Sequence, residues 1–399
     1  MPFVVDVDAH FEPGADWLAP YPELAARLPK LEPALLAVDA IVGDLLRDVP
    51  EAERPPVSEL LPPGLLTLFG DEKLAEAERR KEFEGKNQFQ VAHAKARVAW
   101  LDAQGIALQH VICLSGFAYN LFVDDPALRR QVLHTCNTWL AETCAASQGR
   151  LLPVAAPDFT DLDAAVAELE RMRRLGSRIF LIPGCPVQGV PPAHPRWDRV
   201  WAAAVSLGMV PMLHVGLQHA RFDPGWANLG GDATLLRMVG SSHRHVAPMT
   251  LIYALVYAGV FERFPALTLL LAEVGTGWLP FLLREIDDRV SPTAELFLGS
   301  WKHPLKPSEY VARNVRATPL SGGNDAPLPR IMDELPDDVI VFSSDFPHFE
   351  GFTDPMGHYA EALKGVPARR RERFFGGSIA DVYRRMGDPL PAPAAAGGS

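Results

Sequence analysis

The sequence has few cysteines, no excess of positive charge and no long apolar run. Four of its 399 residues are cysteines, and none form a C-x-x-C pair, which argues against a disulfide framework. Acidic residues outnumber basic ones by 49 to 38, and the basic residues are scattered, which disfavours a nucleic-acid or membrane-surface partner. No apolar stretch reaches the ~18 residues of a transmembrane helix. A small-molecule partner is therefore expected.

Two further features are missing near the amino end. The chain begins Met-Pro-Phe and enters a strand-like segment at once, which leaves no room for a secretory leader. We therefore expect a cytoplasmic protein. The Gly-rich phosphate turn of a dinucleotide-binding fold is also absent after this first strand, where residues 9–13 read Ala-His-Phe-Glu-Pro.

Apolar, β-prone segments recur along the chain, separated mostly by helical sequence. They are the opening segment and residues 110–114, 151–156, 178–183, 210–215, 267–272, 314–318 and 339–344. Helical sequence runs through Arg97, Trp100 and Leu101 to a predicted stop at Gly105, and further helical patterns lie at 126–147, 162–175, 197–207, 247–264, 276–290 and 329–335. Eight such units close a parallel barrel, so the pattern predicts an α/β fold with a single (β/α)8 TIM barrel over residues 1–387. A doubly wound open sheet is the alternative.

Two regions do not follow this rhythm. Residues 17–85 are rich in proline and contain a charged run, which predicts a helical and loop insertion after strand 1. An insertion there leaves the barrel at its carboxyl end, so we expect it to cap the mouth. Residues 388–399, rich in Pro, Ala and Gly, are predicted to form a disordered tail.

The first strand carries candidate metal ligands. Alternation places Asp6, Asp8 and His10 on one face. Same-face neighbours are ~6.5–7 Å apart, so Asp8 and His10 can both reach one cation, with Asp6 one layer deeper. A hydrogen-bonded Asp–His pair on a surface strand is the alternative.

Other candidate ligands fall at the ends of later strands, which meet at one face of a parallel barrel. They are His214, Glu273 and Asp345. Imidazole and carboxylate groups suit one divalent metal ion, Zn²⁺ first, with Mn²⁺ or Fe²⁺ as alternatives. For His214 alone, a hydrogen-bonded core histidine is the competing interpretation.

The strand-end residues lie in motifs that resemble the amidohydrolase superfamily, in the branch called amidohydrolase-2 or aminocarboxymuconate semialdehyde decarboxylase-like. The motifs include Asp6-Val-Asp-Ala-His10, Leu213-His-Val-Gly216, Leu271-Ala-Glu-Val-Gly-Thr-Gly-Trp278 and Phe342-Ser-Ser-Asp-Phe-Pro-His348. The resemblance implies that His10, His214 and Asp345 bind the metal, with Asp8 where many relatives have His or Glu. It further suggests a homodimer.

Three residues have catalytic roles to consider. Glu273 stands where many relatives have His, and could be a general base, a metal ligand or a hydrogen-bond acceptor for a ligating histidine. Asp345 is expected to bind the metal and to accept a proton from bound water. His348 either contacts substrate or hydrogen-bonds the backbone of its own loop.

The preferred function is metal-dependent hydrolysis of a small cyclic or aromatic substrate by an activated water. Three carboxylates near one cation disfavour a dianionic substrate but can deprotonate water. The alternative is a non-oxidative decarboxylase, in which Glu273 would be the proton donor if its pKa rose towards neutrality. A ligand-binding barrel without catalysis is a third hypothesis.

The substrate pocket is less determined by sequence. The aromatic candidates are Phe11, Trp17, Phe117 and Trp278. The candidate anion-binding residues are Arg178, Arg221 and Arg244. The stretch with His219, His243 and His245 is predicted to be a loop at the barrel mouth, and at most one of these histidines is expected to contact substrate. Packing is the competing role for the aromatic residues.

Overall fold

The computed structural model describes residues 3–11, 13, 17–29, 42–60, 93–113, 118–120, 122–217, 220–230, 233–319, 328–348 and 351–390. Within these ranges the chain forms one curled parallel sheet with helices around it. The strands are β1 (Val5–Asp6), β2 (His10–Phe11), β3 (Leu108–Cys113), β4 (Leu151–Ala155), β5 (Ile179–Leu181), β6 (Val210–His214), β7 (Leu269–Ala272) and β8 (Val315–Ala317).

The strands lie in chain order, as expected of successive βα units. The hydrogen-bonded order is β1-β3-β4-β5-β6-β7-β8, and β2 continues the first strand alongside β3. Every pairing is parallel; for example, His214 of β6 lies opposite Ala272 of β7. The predicted parallel sheet is therefore confirmed.

The helices follow the predicted alternation to within a few residues at each end. The helices of five or more residues with full bounds are Ala94–Gln104, Pro126–Ala145, Leu162–Arg174, Asp198–Leu207, Ala233–Ser241, Val246–Tyr257, Leu279–Asp288, Pro292–Leu298, Pro307–Asn314, Leu328–Asp333, Pro355–Ala362, Ala368–Glu372 and Ser378–Arg385. Shorter ones are Pro22–Ala25, Val57–Leu60 and Val260–Arg263. A π-helical turn at Arg373–Gly377 precedes the last helix.

Local sequence sets where several helices begin and end. Asp125 and Asp161 accept hydrogen bonds from the first backbone N–H groups of the helices that follow them. Gly105 and Gly208 end their helices in the left-handed conformation, with φ of 69° and 65°. The predicted stop at Gly105 is thus confirmed.

The segment 339–344 joins the two ends of the sheet, although it is not a regular strand. Val341 N donates to the Ala317 carbonyl at 2.9 Å, which attaches the segment to β8. On the other side, Asp345 N donates to the Asp8 carbonyl at 3.0 Å. These bonds bring the carboxyl ends of the first and last segments together.

The main hydrophobic core lies inside the sheet and between the sheet and its helices. A second, smaller core joins residues 42–60 of the predicted insertion to the helix Ala233–Ser241, through Val42, Leu45 and Leu236 among others. Because that helix follows β6, residues 42–60 pack against a segment on the carboxyl side of the sheet. Residues 30–41 and 61–92 lie outside the described residues, so the cap stays a prediction.

Two local features differ from the sequence predictions. The stretch after β6, predicted as a loop, contains the helix Ala233–Ser241, whose buried Leu236 contributes to the second core. Asp388, at the start of the predicted tail, pairs with Arg173 and Arg178 at 2.7 and 3.2 Å. Residues 391–399 lie outside the described residues.

Among the described helices, none has the length and apolarity needed to cross a bilayer.

Candidate metal centre

The parallel sheet gathers the predicted site residues at its carboxyl edge. His10 lies in β2, His214 is the last residue of β6, and Glu273 directly follows β7. Asp8 stands between β1 and β2, and Asp345 follows the segment 339–344. All five are buried, which separates them from solvent charge screening.

The polar atoms of these side chains lie at the separations expected of ligands around one ion. His10 Nε2 is 3.7 Å from Asp8 Oδ1, 3.5 Å from Glu273 Oε1 and 3.3 Å from Asp345 Oδ1. His214 Nε2 is 3.5 Å from both Asp8 Oδ1 and Glu273 Oε1. Two ligands ~2.1 Å from one tetrahedral cation are ~3.4 Å apart. The distances therefore fit a single shared cation.

Unsatisfied buried atoms support the same fit. Both Asp8 carboxylate oxygens, His10 Nε2 and Glu273 Oε1 are buried and lack a hydrogen bond of normal geometry to any described residue. Buried charged groups without partners are costly, and metal coordination is one way in which proteins satisfy them. The donor set of imidazole nitrogen and carboxylate oxygen suits a divalent cation.

The orientation of the His214 ring is fixed by a hydrogen bond to the backbone. Its Nδ1 lies 2.8 Å from the Val215 carbonyl oxygen. A carbonyl only accepts hydrogen bonds, so Nδ1 carries a proton, and Nε2 is the ring atom directed towards Asp8 and Glu273, where it can bind a cation once it is deprotonated. This arrangement is the one expected of a ligating histidine.

The side chain of His348 lies inside the cluster. This position favours a role in the site over a hydrogen bond to the backbone of its own loop, which was the alternative from sequence. Its Nδ1 is 2.9 Å from Asp345 Oδ1 and 3.8 Å from Glu273 Oε1. Its ring stacks on that of His10 with centroids 3.7 Å apart. His10, Glu273, Asp345 and His348 thus form a second group that overlaps the first.

The buried charges shift each other's pKa values. Burial, followed by the charge of Glu273, raises the pKa of Asp345 well above its usual range. Burial opposes charge on His348, but the Asp345 carboxylate outweighs it and raises the pKa of His348. Burial likewise opposes ionisation of Glu273, yet the charge of His214 holds its pKa well below the usual range. Without a bound cation, these shifts favour negative charge on Glu273 and a proton in the Asp345–His348 pair.

Two of the carboxylates sit on unusual backbone. Glu273 and Asp345 have φ of 57° and 51°, in the left-handed region that residues other than glycine seldom adopt. Such conformations cost ~1–3 kcal/mol and cluster at functional sites. The Glu273 N–H donates to Thr318 Oγ1 at 3.3 Å, which helps to hold this turn.

The candidate anion-binding arginines do not converge on the cluster. Arg178 precedes β5, at the amino edge of the sheet, and bonds to Asp388, so its assignment to the mouth was wrong. Arg221 is largely exposed and lies 3.6 Å from Asp48. Arg244 donates to the carbonyl of Ser241 in its own segment.

The aromatic and histidine candidates are mostly engaged in packing. Trp278 donates its indole N–H to the Val274 carbonyl at 3.0 Å, and Trp17 packs near Tyr119. His243 packs against Phe222, with ring centroids 4.5 Å apart. His245 is partly buried in the same segment. Phe117 and His219 lie outside the described residues.

Sequence reasoning missed one buried group beside the cluster. Arg97 lies in the helix Ala94–Gln104, is 5% exposed, and donates to the His10 carbonyl oxygen at 2.8 Å. The available signal was an arginine among the apolar positions of a predicted helix, which alone does not identify its partner. Phe11, a candidate pocket residue from the sequence, packs on this guanidinium instead.

A parallel α/β sheet with a His and carboxylate cluster at its carboxyl edge is typical of metal-dependent barrel enzymes. The family model Amidohydro_2, described as amidohydrolase, matches residues 114–385 of the 399. The chain belongs to the amidohydrolase family, as the sequence motifs indicated.

Particular relatives add detail. Gamma-resorcylate decarboxylase of Rhizobium sp. (strain MTP-10005) is 26% identical over 268 residues, which cover 63% of this chain and 76% of the relative. An amidohydrolase from Mycobacterium avium subsp. paratuberculosis K-10 superposes with a TM-score of 0.66 at 21% identity, covering 96% and 99% of the two chains.

A third relative was solved with a metal. Dihydroxybenzoic acid decarboxylase from Polaromonas sp. JS666, with bound manganese and the inhibitor 2-nitroresorcinol, superposes with a TM-score of 0.61 at 18% identity. It covers 96% of this chain and 97% of its own. At this identity the two superpositions indicate the shared fold.

Proposed function

We propose that this protein is a metal-dependent, non-oxidative decarboxylase of a small hydroxylated aromatic carboxylic acid. The observation that carries the proposal is the match to curated relatives: four of them, each 26% identical, are named gamma-resorcylate decarboxylase. The buried cluster of carboxylates and histidines supports it, because it offers both a cation site and a proton donor.

The proposal reverses the preference for hydrolysis drawn from sequence. That preference counted Asp8, Glu273 and Asp345 as three negative charges facing the substrate. In the structure, His348 Nδ1 lies 2.9 Å from the Asp345 carboxylate, and that carboxylate raises the pKa of His348, which favours a positive charge beside it. The site is therefore less negative than the residue count suggests, and a carboxylate substrate is less disfavoured.

The side chains proposed to hold the cation are Asp8, His10, His214 and Asp345, with Glu273 also at ligand distance. Glu273 acts as a further ligand, since its Oε1 lies 3.5 Å from the Nε2 atoms of both His10 and His214. When bound, a divalent cation supplies Lewis-acid polarisation and holds substrate oxygens in place. The relative solved with manganese makes Mn²⁺ a candidate beside Zn²⁺.

Asp345 and His348 are proposed to move the proton. Their shared proton, between Asp345 Oδ1 and His348 Nδ1, is the one delivered to the ring carbon that bears the carboxylate. The carbon–carbon bond then breaks, CO₂ leaves, and the electron pair of that bond returns to the ring, with the added proton remaining on carbon. A proton from solvent restores the pair. A ring hydroxyl beside the carboxylate assists by making that carbon electron-rich.

The test is incubation with hydroxybenzoates that differ in hydroxyl position, in the presence of Mn²⁺ or Zn²⁺. We expect release of CO₂ and, in deuterated water, deuterium at the vacated ring carbon. His348→Gln should abolish turnover, whereas Arg178→Lys, at the opposite edge of the sheet, should not. Hydrolysis of an amide or lactone with ¹⁸O from water in the product, and no CO₂ from any hydroxybenzoate, would overturn the proposal in favour of hydrolysis.

A further inference from the structure

One guanidinium lies between the aromatic residues that directly follow two of the proposed ligands. The guanidinium carbon of Arg97 is 4.4 Å from the ring centroid of Phe11 and 4.7 Å from that of Phe346. Phe11 follows His10, and Phe346 follows Asp345. The indole of Trp100, one helical turn after Arg97, stacks on Phe346 at 4.2 Å. These four side chains form a stack that spans both ligand-bearing segments.

Hydrogen bonds connect the same guanidinium to the backbone of the site. Arg97 donates one bond to the His10 carbonyl oxygen and another to Gln109 Oε1, each 2.8 Å long. Gln109 Nε2 in turn donates to Asp6 Oδ2 at 2.8 Å. The fork of the guanidinium therefore contacts the His10 segment directly and the side chain of Asp6 through one intermediate.

Asp6 completes the connection to the last ligand. Its carboxylate accepts from Ser344 N at 3.0 Å and from Ser344 Oγ at 2.5 Å. Ser344 immediately precedes Asp345. A continuous buried network thus runs from Arg97 through Gln109 and Asp6 to the loop that carries Asp345.

A role limited to stability would not require this arrangement. Burying a charged pair and its hydrogen-bond partners is seldom more stabilising than apolar packing of the same volume. What the network supplies instead is a fixed relation between two segments that are far apart in sequence, residues 8–11 and 344–346. Metal sites depend on such support, since loss of outer hydrogen-bond partners typically weakens metal binding ~10–100-fold.

We propose that Arg97 is a positioning residue that holds the His10 and Asp345 segments at the spacing a single cation requires. It does so through the Phe11–Phe346 stack and the Gln109–Asp6–Ser344 hydrogen bonds. The inference rests on the proposed metal centre and goes beyond it, because Arg97 contacts neither cation nor substrate.

The experiment measures metal affinity directly, by competition between purified protein and a chromogenic chelator for Zn²⁺ and Mn²⁺. Arg97→Met keeps much of the buried volume but removes the fork, and should weaken binding ~10–100-fold. Arg97→Lys keeps the charge without the planar fork, and should recover only part of that loss. Gln109→Met, which breaks the connection to Asp6 alone, should give an intermediate loss.

The matched control is another buried arginine. Arg316, 4% exposed in β8, donates to the carbonyls of Ala312 and Val315, and neither bond involves a residue of the cluster. Arg316→Met should lower the thermal unfolding temperature of the metal-free protein but leave metal affinity unchanged. A fall in affinity confined to the Arg97 and Gln109 variants supports positioning.

Other outcomes overturn the inference. The inference is wrong if folded Arg97→Met binds metal as tightly as the parent. If Arg97→Met does not fold, the inference is wrong when both Arg97→Lys and Gln109→Met bind metal as tightly as the parent. Equal losses in Arg316→Met would show that affinity follows general stability. The variant His214→Ala tests the proposed metal centre separately. If His214→Ala binds metal as tightly as the parent, the proposed ligand set is wrong, whatever the Arg97 variants show.

Discussion

Replacing Gly351 by alanine tests how closely the Asp345 loop is held. A Cβ at position 351 would lie 2.6 Å from the Asp345 carbonyl oxygen and 2.8 Å from that of Ser344. Real Cβ atoms keep at least 3.0 Å from such neighbours, so the backbone must move by at least 0.4 Å, the difference between 3.0 and 2.6 Å. The partner is backbone and cannot rotate away as a side chain could.

That displacement is large for a metal site. Ligand distances are held to ~0.2 Å, so a shift of this size at Asp345 should weaken metal binding ~10–100-fold. The overpacking should also lower the free energy of unfolding by ~1–3 kcal/mol. Turnover at saturating metal should fall as well, because the Asp345–His348 proton pair moves with the loop.

The assay is chelator competition for metal, combined with thermal unfolding of the metal-free protein. Gly277→Ala is the matched control, since a Cβ there meets nothing closer than Ile331 at 4.0 Å. It should leave affinity unchanged. If Gly351→Ala binds metal as the parent does while unfolding at a lower temperature, the loop tolerates the shift and the argument from Asp345 geometry is wrong.

Two other changes have defined outcomes. His214→Ala removes one of the two proposed imidazole ligands, so metal and activity should be lost together, as measured by metal analysis after gel filtration. Full occupancy would remove His214 from the ligand set. A second change tests the buried His110. Burial lowers the pKa of this residue to about 3, against the ordinary 6.5. The neutral imidazole therefore makes its full contribution to the free energy of unfolding above pH 6.5, and that contribution declines as the pH falls towards 3. His110→Gln retains an acceptor for Tyr383 and should reduce the loss of unfolding free energy between pH 7 and 5 by ~2 kcal/mol in urea titrations; an unchanged pH dependence would contradict a neutral buried His110.

The location of the cluster was predictable because it depends on strand direction alone. Once successive segments are interpreted as parallel strands, residues at their carboxyl ends must meet, whatever the loops between them do. Asp8, His10, His214, Glu273 and Asp345 all come from such positions, and the structure brings them together.

Three features of the structure differ from the predictions or were missing from them, each for its own reason. Arg178 precedes its strand, and consistent use of strand direction would have placed it at the amino edge. The ionisation of Glu273 depends on distances to His214 that no sequence spacing supplies. Arg97 lies 87 positions from His10, and its contact with that backbone arises only when the helix packs against the sheet.

The left-handed backbone at Glu273 and Asp345 has a consequence for any laboratory evolution of this protein. Glycine adopts that conformation without a steric penalty, so a change to glycine at either position can relieve ~1–2 kcal/mol of backbone energy. A library selected for heat resistance in the absence of metal and substrate should therefore enrich glycine at 273 and 345 while losing turnover. The positions that such a selection alters most readily would then be two residues of the proposed metal site.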